Sequence, residues 1–222
     1  MNFFSVTGKN WKLKEIDKRK IFKISEDFSI SEILSRLLVL RNISPEEIYF
    51  YLNPKLKYQM PKPQVLHHMD KATTHIVKLI NNKALIGIFG DYDVDGAAST
   101  SLLIKFFNKI KQPFEMFIPD RKKDGYGPNI NTFNNLIKKR VKTIITVDCG
   151  TSSYDAINFA NKKKIKTIVL DHHQSDVKLP SAYAILNPNK ISDNSGLNYL
   201  CATSVVFFFL VGLNQKLKKI DW

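Results

Sequence analysis

The stretch ALIGIFGDYDVDGAASTSLLIKFF, residues 84–107, decides the fold. An uncharged, β-prone run ends at Gly90, three acids follow at alternate positions, and an apolar-periodic segment begins after Gly96. This order predicts a buried strand, an acidic loop and a helix. Ligands of an open parallel α/β sheet bind beyond the carboxyl ends of its strands. Because crowded carboxylates repel one another unless cations or protons intervene, the loop predicts a metal site. Its three acids are Asp91, Asp93 and Asp95.

Two other kinds of site contain a similar D-x-D-x-D-G string. An EF-hand loop requires an acid at its twelfth position and a helix before the loop. Here Leu102 occupies that position and a strand-like run comes first, so we set this alternative aside. The D-x-D-G core is also similar to the nucleophile loop of haloacid-dehalogenase-type phosphatases, with Asp93 as the attacking acid, and this alternative stays open. A solvated acidic turn is the plainest alternative, but it is uncommon directly after a buried strand.

The composition indicates a globular protein with a basic surface. The 222 residues are 44% hydrophobic, which is enough for a core. The formal net charge of +14 fits a polyanionic partner, although the basic residues are spread along the chain and give weak support by themselves. Two cysteines, Cys149 and Cys201, are too few for a disulfide framework or a cysteine zinc site. With no secretion signal evident, we expect a cytoplasmic location.

Strands and helices alternate from residue 84 onward, which predicts an α/β domain. Strict alternation implies a parallel sheet with right-handed crossovers and helices on its faces. We assign residues 84–222 to this domain and residues 1–83 to a small, mostly helical segment before it. The predicted strands cover 84–89, 114–118, 143–147, 167–170 and 183–186, and the helices between them cover 97–110, 130–140 and 154–164. The N-terminal segment has predicted helices at 29–40, from Ser44 onward and at 68–82.

Reactive side chains fall at the carboxyl ends of three predicted strands, and therefore on one edge of the sheet. Asp91 follows the first strand, Asp148 ends the third, and Asp171, His172 and His173 end the fourth. A mixed set of carboxylates and imidazoles suits Mn²⁺ or Mg²⁺. Several acids together can bridge two ions about 3.5–4 Å apart, as in phosphoryl displacement. A lone strand-end Asp often caps a helix, but that does not account for the whole set.

Five short motifs in this order resemble the DHH phosphoesterase superfamily and, within it, the RecJ-type single-strand DNA exonucleases. They are GDYDVDG (90–96), IPDRKKDGYG (118–127), VDCGTS (147–152), LDHH (170–173) and LNPN (186–189). The resemblance covers nearly the whole chain. It implies a DHH-type domain that degrades single-stranded DNA from its 5′ end in DNA repair and recombination. It also implies two divalent ions, Mn²⁺ or Mg²⁺, and single-stranded DNA as the partner.

The resemblance also assigns roles to individual residues. It makes metal ligands of the three first-motif acids, and it makes Asp148 the acid that bridges both ions and His172 a further ligand. His173 is assigned to the scissile phosphate, and Asp171 to orienting an imidazole. Arg121 suits a bidentate phosphate contact, although a solvated loop arginine is an equal alternative. The catalytic set is Asp148, His172 and His173, and the metal set is Asp91, Asp93, Asp95, Asp148 and His172.

Two positions depart from the family pattern. Several DHH enzymes have a His four residues before a first-motif acid, where this chain has Phe89. In LCATSVVFFFL (200–210) the family tends to have a glycine-bearing run, where this chain has Ala202 and Thr203.

The apolar segment 199–213 is shorter than the ~18–20 residues of a membrane span, so it predicts a buried helix and no membrane partner.

The resemblance also predicts that this chain is an incomplete catalytic unit. The family draws a further metal-binding Asp from a fourth motif, and a second domain and a DNA-binding barrel follow. After the last predicted helix this chain has only Asp221 and Trp222. We therefore expect the C-terminal part to be a separate chain or absent, and the apolar helix 199–213 to expose a patch for lack of partners.

Two further functions remain as alternatives. One is a DHH phosphodiesterase that acts on short oligonucleotides or cyclic dinucleotides. The other is a non-catalytic DNA-binding scaffold with degenerate metal ligands. The presence of the acids of the first motif, Asp148 and His172 argues against the scaffold.

Overall fold

The computed structural model describes residues 2–219, so Asp221 and Trp222 lie outside the described residues. The chain forms two compact units, Met1–Pro61 and Lys62–Trp222. This division comes earlier than the predicted boundary between residues 83 and 84. The reason is that the helix at Met69–Asn81, predicted as part of the N-terminal segment, packs against the last helix and the last strand of the second unit.

The first unit is small and mostly helical, as predicted. Its elements are an antiparallel pair, β1 (Asn2–Phe4) and β2 (Asn10–Lys12), and helices α1 (Lys18–Phe28), α2 (Glu32–Leu40), α3 (Pro45–Leu52) and α4 (Leu56–Gln59). The helix start predicted at Ser44 is confirmed, since Ser44 and Glu47 form a capping box before Pro45. The β1–β2 pair and α1 were not predicted.

The second unit contains a five-stranded parallel sheet with helices around it. A short 3₁₀ turn (Pro63–Val65) and α5 (Met69–Asn81) come first. The elements that follow are β3 (Ile86–Phe89), α6 (Val94–Lys109), β4 (Phe114–Phe117), α7 (Ile130–Lys138), β5 (Thr143–Val147), α8 (Tyr154–Lys162), β6 (Lys166–Leu170), β7 (Ala184–Leu186) and α9 (Ala202–Lys218). The strand order is β4-β3-β5-β6-β7, with every neighbouring pair parallel. The predicted α/β class and all five predicted strands are confirmed.

The register of the sheet places the ends of its central strands side by side. Phe89 of β3 pairs with Thr146 of β5, and Val147 of β5 pairs with Leu170 of β6. The strands are buried, because apolar side chains of α7 and α8 such as Phe133 and Ile157 cover the sheet. The residues that follow β3, β5 and β6 therefore emerge from a rigid support at one edge.

Helix α9 is buried on most of its surface. It packs against α5 and α6, and its buried positions include Val205, Phe209 and Leu213. Phe207 is 38% exposed. The expectation that this helix lacks partners and exposes an apolar patch is therefore wrong, because α5 belongs to the same unit and covers it. Within residues 2–219, no helix combines the length and the apolar character needed to cross a membrane.

Candidate metal centre

The first acidic loop lies between β3 and α6, and its shape depends on a glycine. Oδ1 of Asp91 accepts a hydrogen bond from the Tyr92 amide at 2.7 Å. Asp93 is the N-cap of α6, where its Oδ1 accepts a hydrogen bond from the Gly96 amide at 2.9 Å. A Cβ at Gly96 would lie only 2.6 Å from Cβ and O of Asp91. Only glycine allows the first turn of α6 to come this close to Asp91.

Asp148 is the most unusual residue of the edge. It follows β5 with φ of +60°, a left-handed conformation that is uncommon outside glycine and is often found at functional sites. Its side chain is buried, and neither carboxylate oxygen has a hydrogen-bond partner among residues 2–219. Burial raises the pKa of Asp148 to about 8, and the neighbouring carboxylates of Asp93 and Asp95 act in the same direction. A cation at this carboxylate would supply the missing partners.

Asp148 belongs to two groups of possible metal ligands within the described residues. One group is Asp91, Asp93 and Asp148, and the other is Asp148, His172 and His173. In each group, one ligand atom from every residue lies within 4.8 Å of the others. Oxygen and imidazole donors of this kind fit Mn²⁺ or Mg²⁺. A carboxylate shared by two groups fits an acid that bridges two ions.

Asp95 lies beside these groups but belongs to neither in the part of the chain that the structure describes. Its Oδ2 is 3.7 Å from Nε2 of His172, and Oδ1 of Asp148 is 3.4 Å from the same nitrogen. Its carboxylate accepts hydrogen bonds from the amides of Ala202 and Thr203 at the start of α9. Although burial alone raises the pKa of Asp95, these hydrogen bonds lower it below its usual value. Its role as a ligand therefore stays a prediction, and the structure adds a contact with α9.

His173 and Asp171 form a close pair next to Asp148. Nδ1 of His173 lies 2.7 Å from Oδ1 of Asp171, while Oδ2 of Asp171 accepts a hydrogen bond from the Thr151 amide at 3.0 Å. This pairing with Asp171 raises the pKa of His173 to about 9. Burial alone raises the pKa of Asp171, but the hydrogen bonds from His173 and Thr151 lower it to about 2. Without a bound cation the pair is an imidazolium held in a fixed orientation by a carboxylate. In that protonated form His173 is a hydrogen-bond donor beside the centre and not a metal ligand.

Two asparagines after β7 hold the loop that carries the histidines. Nδ2 of Asn187 donates to the backbone oxygen of His173 and to Oγ1 of Thr151, each at 2.9 Å. Nδ2 of Asn189 donates to the backbone oxygen of His172. Sequence reasoning gave these asparagines no role, although the LNPN motif that contains them was noted. The feature of the sequence that could have indicated this role is a pair of polar residues directly after a buried strand.

Arg121 and two tyrosines lie on the rim of the site. The guanidinium of Arg121 is 5.7 Å from the ring centre of Tyr92, and the Tyr92 ring is 6.3 Å from that of Tyr126. Tyr126 in turn lies edge-on to the His173 ring at 6.4 Å. The rings of Tyr92 and Tyr126 thus lie between Arg121 and His173, so Arg121 is on the same side of the site as His173. The side chain of Arg121 is exposed.

A cavity of about 800 Å³ opens next to the Asp171–His173 pair. Tyr126 and His173 line one part of it, and the loop from Gly150 to Ser153, before α8, lines another. Among the lining residues, Asn129, Thr151 and Ser152 offer hydrogen-bonding groups. The cavity is large enough for one or two nucleotides, and it shares His173 with the candidate metal ligands.

Comparison with known proteins shows which family and fold this chain is similar to. The family model described as the DHH family, N-terminal domain, matches residues 85–221. The single-stranded-DNA-specific exonuclease RecJ of Bacillus subtilis is 30% identical over 89% of this chain, and the protein of the same name from Haemophilus influenzae is 31% identical over 94%. The chain spans only 25% and 36% of these two relatives. A solved structure of RecJ in complex with Mn²⁺ from Thermus thermophilus has a similar fold, with a TM-score of 0.73 at 18% identity over 93% of this chain and 28% of that chain.

Proposed function

This chain belongs to the DHH family, and we propose from that membership and from its metal centre that it hydrolyses phosphodiester bonds of single-stranded DNA. The curated relatives that support this substrate are named as single-stranded-DNA-specific exonucleases. The proposed cofactors are two divalent ions, Mn²⁺ or Mg²⁺. Attack from the 5′ end, a part in DNA repair and recombination, and a cytoplasmic location stay predictions that accompany this proposal.

The main support for the proposal is the environment of Asp148. Asp148 is buried, accepts no hydrogen bond at either oxygen among residues 2–219, and belongs to both groups of possible ligands. Leaving a buried carboxylate unpaired costs several kcal/mol, on the order of the desolvation of a charged group. Unpaired buried polar groups of this kind are candidates for functional sites. Bound divalent cations would supply the partners that the Asp148 carboxylate lacks.

Each residue of the proposed metal centre has its own role in the reaction. When bound, the two ions activate a water molecule and neutralise charge that develops on the phosphate oxygens. Asp91 and Asp93 would hold one ion together with Asp148, and His172 and Asp95 would hold the other. His173, kept protonated by Asp171, donates a hydrogen bond to the scissile phosphate.

The cavity beside His173 is where we place the nucleotide next to the scissile bond. Its loop around Thr151 offers hydrogen bonds to sugar and phosphate, and the ring of Tyr126 offers a face for stacking on a base. Stacking tolerates every base, so the proposed recognition is independent of sequence. Arg121 on the rim is placed to contact a phosphate further along the strand.

The alternatives differ in what they predict for named residues. A haloacid-dehalogenase-type phosphatase requires a phospho-aspartate at Asp93 and gives no role to His172 or His173. Trapping with beryllium fluoride tests this, because only an aspartyl nucleophile forms the adduct. A phosphodiesterase of short substrates predicts faster cleavage of dinucleotides or cyclic dinucleotides than of long strands. A DNA-binding scaffold predicts DNA binding without hydrolysis in Mn²⁺.

The direct test is digestion of 5′-labelled single-stranded DNA in Mn²⁺ by the protein and by two variants. Asp148→Ala removes the shared ligand, and we expect it to abolish hydrolysis. Asp27→Asn removes a negative charge from an exposed position of α1, in the other compact unit, and should leave the rate unchanged. Equal digestion by the protein and by Asp148→Ala would contradict the proposal, as would the absence of Mn²⁺-dependent hydrolysis from every substrate.

A further inference from the structure

Asp95 is fixed by a helix that is distant in sequence. Its Oδ2 accepts a hydrogen bond from the Ala202 amide at 2.7 Å, and its Oδ1 accepts one from the Thr203 amide at 2.8 Å. The hydroxyl of Thr203 donates a third hydrogen bond to Oδ1. These amides belong to the first turn of α9, where backbone N–H groups have no partner within the helix. The N-cap residue Cys201 makes no side-chain cap of its own, so Asp95 supplies the cap from α6.

The pattern of these hydrogen bonds selects one oxygen of Asp95. A carboxylate has about four lone-pair positions, two on each oxygen. Both positions on Oδ1 are used by Thr203, through its amide and its hydroxyl, and one position on Oδ2 is used by Ala202. Oδ2 has one backbone partner and lies 3.7 Å from Nε2 of His172. The thiol of Cys201 is a further hydrogen-bond partner that lowers the pKa of the Asp95 carboxyl. The start of α9 thus holds Oδ1 with two hydrogen bonds from Thr203 and leaves Oδ2 as the oxygen on the His172 side.

We infer that Thr203 is a positioning residue of the metal centre, which fixes the Asp95 carboxylate so that Oδ2 is presented to the ion beside His172. The β-branched side chain suits this role because its χ1 angle is restricted, which holds the hydroxyl in place. Oγ1 of Thr203 also lies 3.3 Å from Oγ of Ser99 and 3.2 Å from the backbone oxygen of Asp95, so α6 and α9 are joined at this point. This inference rests on the proposed metal-dependent function and adds a residue that acts through Asp95 and does not itself touch the ion.

The inference predicts a specific loss of metal affinity. Thr203→Val keeps the shape of the side chain but removes the hydroxyl, so Oδ1 of Asp95 keeps only the amide of residue 203 and the carboxylate is held less firmly. We expect one of the two Mn²⁺ ions to bind about tenfold more weakly, the size of effect usual for residues that orient ligands. Thr203→Ser keeps the hydroxyl and should bind both ions within about threefold of the unchanged protein. Ser101→Ala is the matched control, since it removes an exposed hydroxyl of α6 that donates to the backbone oxygen of Ala97, and it should have no effect.

The assay is calorimetric titration of the metal-free protein with Mn²⁺, supported by the Mn²⁺ electron paramagnetic resonance spectrum and by thermal melting without metal. Weaker binding by Thr203→Val, with rescue by Thr203→Ser, supports the inference. Unchanged Mn²⁺ affinity in Thr203→Val overturns it, and so does an equal loss in Thr203→Ser, because that would show a packing effect. If Thr203→Val does not fold, Thr203→Ala takes its place in the same comparison.

Failure of the inference can be told apart from failure of the proposed function. Titration of Asp148→Ala in the same series tests the metal centre itself. Mn²⁺ binding that depends on Asp148 but not on Thr203 overturns only the inference. An unchanged protein that binds no Mn²⁺ overturns both.

Discussion

Asp148 offers the strongest test of the centre, because its carboxylate should destabilise the metal-free protein. The pKa of Asp148 is raised from 3.8 to about 8. A raised pKa in the folded state means that folding favours the protonated acid, so stability is fully present below pH 3.8 and is lost as the pH rises towards 8. At about 1.4 kcal/mol per pKa unit, the loss is at most ~6 kcal/mol at pH 8. Because neighbouring Asp93 is exposed, water screens the charge of Asp148. We therefore expect a loss of stability of about a third of the upper limit, ~2 kcal/mol.

Asp148→Asn keeps the size of the side chain and removes the charge that causes this loss. We therefore expect the variant to be more stable than the unchanged protein at pH 8 in the presence of a chelator, by ~2 kcal/mol or a Tm higher by about 4–8 °C. At pH 5 the difference should shrink, because Asp148 is then largely protonated. Added Mn²⁺ should raise the Tm of the unchanged protein by mass action and that of the variant much less.

Thermal melting of the unchanged protein and of Asp148→Asn is measured at pH 5 and at pH 8, each with chelator and with Mn²⁺. The four conditions give the stability difference between the two proteins at each pH, with and without metal. Asp27→Asn serves as the control, since it also removes one acid but from an exposed position. The reasoning is refuted if Asp148→Asn is less stable than the unchanged protein at pH 8 without metal, or if its relative stability does not depend on pH. Either result would mean that Asp148 has a partner in the fold and is not held ready for a cation.

Three further predictions concern neighbours of Asp148. Gly96→Ala places a Cβ 2.6 Å from Asp91, so it should displace that acid, weaken Mn²⁺ binding at least tenfold in calorimetric titration and lower the Tm. Tyr126→Ala should raise KM for single-stranded DNA about tenfold, from the loss of ~1–3 kcal/mol of stacking, while Tyr126→Phe keeps the ring and should stay near the unchanged value. Asp171→Asn removes the partner that raises the pKa of His173 to about 9, so the alkaline limb of the pH–rate profile should move towards the ordinary histidine pKa, which NMR titration of the His173 ring checks independently.

The sheet and its reactive edge were predictable because both depend on local patterns. Apolar runs of strand length bounded by polar residues marked all five strands, and parallel topology then fixed which ends face the same way. The acids at the ends of β3, β5 and β6 followed from that topology without any knowledge of distances. The capping box at Ser44 was predictable for the same reason, since its partner Glu47 is only three residues away.

The parts that sequence reasoning missed depend on contacts between distant residues. Helix α1 is amphipathic but rich in charged residues, with only Ile21 and Ile24 buried, and the prediction overlooked it. The division between the two units differs from the predicted boundary because nothing in the sequence of α5 shows that it packs on α9. The supporting role of Asn187 depends on the backbone oxygen of His173, which no local pattern reveals.

The position of Asp95 explains why three alternate acids follow β3 when two form a group with Asp148. Asp91 and Asp93 face the buried carboxylate of Asp148, but Asp95 sits in the first turn of α6 and points towards α9. A carboxylate there does two things at once, since it accepts hydrogen bonds from the first amides of α9 and keeps its Oδ2 3.7 Å from Nε2 of His172. Thr203 adds a hydroxyl to that contact. The metal centre and the packing of α9 are therefore coupled, so any change that shifts the first turn of α9 should also change the affinity for the ion beside His172.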